Sequence, residues 1–215
     1  MPNPALPAVI DHIRRLTRTP AGEGLTDHVG VGFGWEPTER LRSETTAFAA
    51  AHLLYMAGVT VRLARDLFLF PAIDFDHEIS AAVFDMKPRS RGRVSLTSSD
   101  PAAPLRIEHG FLSDPDDAAL LAEGVELVRR LLGSRALRGY AGAELRPLDG
   151  DLRGLARGFF HPCGTCAISR VVDGRGRLLG AERAVVADAS IIPEIPRAPI
   201  NLTVIAVAER IAQLL

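Results

Sequence analysis

Residues 161–169, HPCGTCAIS, hold both cysteines of the chain and one of its six histidines. Three chemistries compete for such a cluster. A C-x-x-C pair can cycle between dithiol and disulfide when its first thiol opens a helix that follows a strand. A structural zinc takes about four Cys or His ligands. A lone histidine, with an unperturbed pKa of about 6.5, can act as general acid or base near neutral pH. The surroundings weigh against the first two. Pro162 lies before the pair, AISRVVD after it reads as strand, and no second Cys/His pair completes a tetrahedral site. Cys163 and Cys166 therefore read as neutral, packed thiols, and no metal is expected.

The remaining candidates are weaker. Asp27 and His28 read as a structural step, and His52, His77 and His109 are isolated. Asp114, Asp116 and Asp117 surround Pro115 in SDPDDAALL, which is a helix start rather than a carboxylate metal site.

The elements that must position His161 follow from the pattern along the chain. With 47% hydrophobic and 24% charged residues, the chain has the balance of a globular protein. Its net charge of −1 gives no electrostatic reason to expect nucleic acid or an anionic membrane. The most apolar run, Thr45 to Ile73, is interrupted by His52, Arg62, Arg65 and Asp66. A spanning helix needs about 20 consecutive apolar residues, so the run reads as a buried helix or helix pair. The N-terminus lacks a signal-peptide pattern, and a cytoplasmic location with reduced cysteines is expected.

Residues 5–18 carry a helical stripe, and 19–37 read as a loop feeding a strand. Residues 77–87 and 92–98 read as strands joined by the turn PRSRG, and 104–109 as a third. A helix opens at Ser113 or Asp114, buries Leu121, Val125, Val128 and Leu132, and ends at Gly133. Residues 134–160 read as loop. ISRVVD and AVVADAS read as short strands around the DGRGR turn, and an apolar helix runs from Leu202 to the end. The class is α+β, an antiparallel sheet with flanking helices. Residues 1–215 are expected to form one domain, a mostly helical region over 1–75 and a sheet-plus-helix body over 76–215.

The stretch HPCGTCAISRVVDGRGRLLG, followed by AVVADASIIPEIP and PINLTVIAVAERIAQLL, resembles the C-terminal signature of the glucose–methanol–choline (GMC) flavin oxidoreductases. KPRSRGRVSLTSSD with the helix start at 113–117 is similar to that family's substrate-domain segment, and GEGLTDHVGVGF (22–33) to the step leading into it. The family's N-terminal G-x-G-x-x-G loop, which holds the FAD pyrophosphate at a helix N-terminus, has no counterpart here. GVGFG (30–34) reads as a glycine-rich strand. The chain therefore resembles the C-terminal, substrate-binding half of the family.

The resemblance implies roles. His161 matches the histidine that takes the alcohol's hydroxyl proton while hydride leaves its carbon. Asn201 matches the second active-site position, where an amide can orient the substrate oxygen. Asp188 and Ala189 match the segment approaching the flavin's ribityl and pyrophosphate, and Leu202 and Thr203 match the helix start facing its pyrimidine edge. A small-molecule substrate is implied, and FAD only if a separate FAD-binding partner half, or another subunit, supplies it. Two other readings stay open. One is a free-standing, flavin-free enzyme using the His161/Asn201 pocket for isomerisation, elimination or cyclisation, mildly favoured by a helical stripe directly after Met1. The other is a non-enzymatic binding module. The intact cofactor-facing motifs put the flavin-linked reading first, and it predicts a large exposed apolar face.

Overall fold

The computed structural model describes residues 19–43, 61–62, 66–74, 78–98, 100, 102–145, 148, 150–181 and 183–214. In chain order the elements used below are β1 (Glu23–Leu25), β2 (Val29–Pro37), α1 (Glu39–Ser43), β3 (Val61–Arg62), β4 (Leu67–Asp74), β5 (Glu78–Asp85), β6 (Gly92–Ser95), β7 (Arg106–Glu108), α2 (Pro115–Leu132), β8 (Ala141–Glu144) and α3 (Asn201–Ala212). The mixture of antiparallel strands and few helices is the expected α+β class. Among the described residues no helix is long and apolar enough to cross a membrane.

Contacts gather the chain into two compact units. The first comprises residues up to His28, Lys87–Ser113 and Gly158–Leu215, and the second Val29–Met86 and Asp114–Arg157.

The second unit is built on a sheet with strand order β3–β4–β5–β2–β8. β2 alternates large apolar residues (Val29, Val31, Phe33, Trp35), all buried, with glycines. The Phe84 ring lies over Gly30, where a Cβ would come within 2.3 Å of it, so the glycine makes room for a cross-strand aromatic. α2 packs its stripe of Leu121, Gly124, Val125 and Val128 on β5 and β4, close enough for Gly124 to meet Val83 and Leu67. Its start is as expected: Asp114 Oδ1 accepts the Asp116 amide at 2.9 Å, and Pro115 follows in the first turn. Gly133 closes it, its N–H donating to the Arg129 carbonyl. Arg129 grips Glu144 of β8 through two 3.0 Å hydrogen bonds, which ties the helix to the sheet edge.

Several expectations are corrected. The described part of the 45–73 run forms strands β3 and β4, not helix. An apolar run fits a strand paired on both sides as well as a helix, and LFLFPAID is rich in bulky residues that suit a sheet. Among the described residues between 19 and 75 the helix is α1, and most of the region expected to be helical, residues 1–18 and 44–60, lies outside the described residues. Residues 5–18 lie outside the described residues, as do His52 and His77. PRSRG does not close a hairpin: β5 pairs with β2 and β4, whereas β6 pairs with β1 and β7. Arg91 curls this segment by donating to the carbonyls of Pro88 (2.7 Å) and Ser90 (2.9 Å). Within the stretch read as loop, residues 141–144 form β8. ISRVVD and AVVADAS are not strands but isolated bridges, and Ala189–Ile191 is a 3-10 turn. The Asp173 carboxylate, which accepts the amides of Arg175 and Arg177, winds the chain too tightly there for a ladder to extend.

Candidate active site

The site lies within the first unit, where segment 161–168 runs between two others. On one side the Thr26 and Cys163 backbones exchange hydrogen bonds of 3.0 and 2.9 Å, and Gly22 N–H donates to Thr165 O at 2.8 Å. On the other, Cys166 N–H donates to Ser190 O (2.8 Å) and Ile168 N–H to Ile191 O (2.9 Å). The three sequence motifs around 22–28, 161–168 and 188–191 are thus strapped together by backbone. Gly164 permits this path: its φ is +92°, and a Cβ there would lie 2.4 Å from the Gly24 carbonyl oxygen. Phe160, immediately before His161, also takes a positive φ of 61°, a conformation that costs a bulky residue energy and marks a segment held by its surroundings.

Two core clusters fix the remaining pieces. Cys163, Ile192, Ile195 and Ile200 pack together with Ala189 and Val204, joining the segments that carry His161, Asp188 and Asn201. Val171, Val172, Ile191 and Ile211 form the other, with Cys166 and Val207 against it. α3 therefore faces inward through Val204, Val207 and Ile211, at helical spacing.

His161 is half-buried and touches the D-H step directly. Its backbone N–H donates to Asp27 Oδ1 at 2.9 Å, and its Nδ1 lies 2.8 Å from His28 Nδ1, the rings edge-to-face at 85°. His28 Nε2 donates to the Pro196 carbonyl at 2.8 Å, and His28 O accepts the Phe159 amide at 2.9 Å. Phe159 adds a second edge-to-face contact to His161. Burial pushes His28 down to about 4, and the positive charges of His161 and Lys87 act in the same direction. Burial also lowers His161, against the pull of the Asp27 carboxylate, and raises Asp27. A neutral imidazole at pH 7 is the state a proton acceptor needs.

Asp27 and His28 are the residues that sequence reasoning missed as site components. They are 133 or more positions from His161, and no local periodicity couples such distant residues. The Asp27, His28 and His161 donor atoms lie within 4.8 Å of one another, the spacing of a potential metal trio. The 2.8 Å between the two Nδ1 atoms is a hydrogen-bond distance, shorter than the roughly 3.3 Å separating two nitrogens on a tetrahedral zinc.

Of the other predicted positions, Ala189 packs inward, while Asp188, Asn201, Leu202 and Thr203 are exposed. Asn201 opens α3 and is exposed, and no hydrogen bond among the described residues reaches its amide. Ile200 caps α3 without a side-chain bond, leaving the first-turn N–H groups open at Leu202 and Thr203. Leu202 is 80% exposed, and Thr203 is exposed. The Asp188 carboxylate is turned to its own backbone, accepting the Ser190 amide at 2.8 Å, so this segment offers main chain rather than side chain. Both cysteines are free; burial pushes Cys163 up to about 11 and raises Cys166, the opposite of an activated thiol. His109 stacks on Phe111.

Known proteins of similar sequence and structure identify the family. An oxygen-dependent choline dehydrogenase of Proteus mirabilis is 36% identical over 149 residues, covering 63% of this chain and 27% of that protein. The one from Brucella anthropi is 34% identical over 184 residues, 75% of this chain and 34% of that protein. Among solved structures, formate oxidase of Aspergillus oryzae superposes with a TM-score of 0.71 at 21% identity, covering 94% of this chain and 50% of that one. Pyridoxine 4-oxidase of Mesorbium loti gives 0.69 at 21%, with 94% and 46% covered. The chain thus spans about a third or less of these curated relatives and about half of the structural ones. The family description "GMC oxidoreductase", in its C-terminal form, matches residues 88–208, more than half of the chain, and the chain belongs to that family.

Proposed function

We propose that this chain forms the substrate side of an alcohol-oxidising site that is completed by a FAD-binding half. The observation that carries the reading is the open apolar surface on the segments of the two predicted catalytic residues. Phe160, beside His161, is 92% exposed, while Leu202 and Ile205, just after Asn201, are 80% and 52% exposed. Side chains this large and this exposed are expected where another surface normally covers them. The uncapped start of α3 suits the same reading, since free N–H groups at a helix N-terminus favour an electron-rich edge.

In this reading His161 accepts the hydroxyl proton of the substrate alcohol, and Asn201 holds the oxygen on which negative charge develops. Leu202, Thr203 and the backbone at Asp188 and Ala189 line the cofactor side. Bound FAD would supply the hydride acceptor. The substrate is a small primary or secondary alcohol, the chemistry that one imidazole base and one amide can serve.

The test is the visible absorption spectrum of the purified chain, alone and after co-expression with a FAD-binding half of this family. Yellow flavin bands that bleach on addition of an alcohol are expected only with the second half present. A colourless, monodisperse chain that turns over substrate alone would overturn the reading in favour of flavin-free, redox-neutral chemistry.

A further inference from the structure

We propose that His28 is a positioning residue that holds His161 in its Nδ1–H tautomer, so that Nε2 of His161 is the atom that takes and returns the proton. The inference rests on the reading of His161 as the base, and extends it to a named atom and a second residue.

The argument runs along one hydrogen-bond chain. A carbonyl oxygen only accepts, so the 2.8 Å contact with Pro196 places a proton on His28 Nε2. His28 is completely enclosed, 0% exposed, with the Lys87 ammonium as a positive neighbour and the Asp27 carboxylate adjacent in sequence. An imidazolium there would be a buried cation, and the neutral ring is favoured. With Nε2 protonated, neutral His28 has a bare lone pair on Nδ1. That lone pair faces His161 Nδ1 at 2.8 Å, a separation that needs one proton between the two atoms. The proton therefore belongs to His161 Nδ1, and the lone pair of neutral His161 is on Nε2. The same bond survives when Nε2 accepts a proton, because the imidazolium still donates from Nδ1. Proton transfer at Nε2 leaves the rest of the network in place, as required of a group that must hold its orientation during catalysis.

His28 also links two segments. Through Pro196 it grips the stretch that leads, four residues on, to Ile200 and the start of α3. Asp27 holds the His161 backbone N–H while His28 holds the ring, so consecutive residues fix main chain and side chain separately.

The deciding measurement is the long-range 1H–15N spectrum of the imidazoles in the 15N-labelled chain, with His161 assigned by its disappearance in His161→Ala. At pH 7 His161 is expected to show a protonated Nδ1 and a bare Nε2, and His28 the reverse. His28→Asn, whose amide oxygen occupies the place of Nδ1, should keep the His161 pattern. His28→Gln, which retains a donor toward Pro196 but offers no acceptor to His161, should shift His161 to a mixture of tautomers. A proton on His161 Nε2 in the unaltered chain, or an unchanged spectrum in a folded His28→Gln, overturns the inference. Should His28→Gln not fold, the spectrum of the unaltered chain decides alone.

In the flavin-complemented enzyme, kcat should fall on the order of 10²- to 10⁴-fold for His28→Gln with little change in KM, and be largely rescued in His28→Asn. Failure of the base assignment would look different. His161→Ala would then retain alcohol oxidation while the tautomer spectrum stayed as expected.

Discussion

Lowering the pH should unfold this protein through His28. In the native chain the ring is enclosed and its pKa sits near 4, whereas in the unfolded chain it returns to 6.5. Between those values the unfolded state binds a proton that the folded state refuses, so stability rises with pH across the window and is lost on acidification. A fall from 6.5 to about 4 corresponds to on the order of 3 kcal/mol, most of it lost by pH 4. That is a large share of the ~5–15 kcal/mol that holds a domain together. Asp27 acts with the opposite sign: burial raises its pKa, so its contribution falls as pH rises just above 3.8. His161 acts in the same direction as His28, with burial as the cause. Comparison with His28→Asn removes the His28 contribution and leaves those of Asp27 and His161 in both proteins. Urea unfolding followed by far-UV circular dichroism at pH 7, 5 and 4 should give curves that converge by on the order of 3 kcal/mol towards pH 4. Parallel curves would mean that His28 is protonated in the folded state, and the hydrogen-bond order derived from Pro196 would be wrong.

Gly164→Ala should destabilise the unit carrying His161 by about 1–3 kcal/mol, read as a lower thermal midpoint, because φ is +92° and the Gly24 carbonyl occupies the space of the new methyl; an unchanged midpoint would refute the strain. Cys163, with its thiol pushed up to about 11, should react with a thiolate-selective reagent at pH 8 on the order of 10²-fold more slowly than a free thiol. Fast labelling of the folded chain at Cys163 would contradict its burial. Leu202→Asp, at a position 80% exposed, should change the unfolding free energy of this chain by less than about 0.5 kcal/mol while abolishing flavin capture with a FAD-binding half. Undiminished capture would remove this face from the cofactor side.

The parts of the fold legible in the sequence are those whose signals are local. α2 is written out by Asp114, Pro115, the stripe Leu121, Val125, Val128 and the stop at Gly133, each acting within a few residues of its effect. β2 shows as alternation of Val29, Val31, Phe33 and Trp35. The described end of the run from Thr45 to Ile73 is open to a helix reading because high hydropathy records burial, not period. Leu67–Asp74 pairs with a strand on each edge, and its nearly continuous apolar sequence lacks the alternation that marks a half-exposed strand. Likewise PRSRG has the composition of a hairpin turn, but which sheet receives β6 depends on β1 and β7, which is not encoded near the turn.

The site divides along the same line. His161 stands out because it sits in a dense motif, and Asn201 because its motif resembles the family's second active-site position; the residue that binds His161 has neither mark. His28 is one of six histidines, in a stretch that reads as the approach to a strand. Its importance arises from three bonds to residues far along the chain: His161 by its ring, Phe159 by its carbonyl, and Pro196 by Nε2. A buried histidine with both ring nitrogens engaged has no freedom to choose its tautomer, and it passes that constraint to its partner. The short sequence Asp-His at 27–28 thus does for His161 what neither Pro162 nor either cysteine beside it could do. It holds the backbone with a carboxylate and the ring with a neutral imidazole. HPCGTCAIS is therefore half of a candidate site whose other half is written 133 residues earlier.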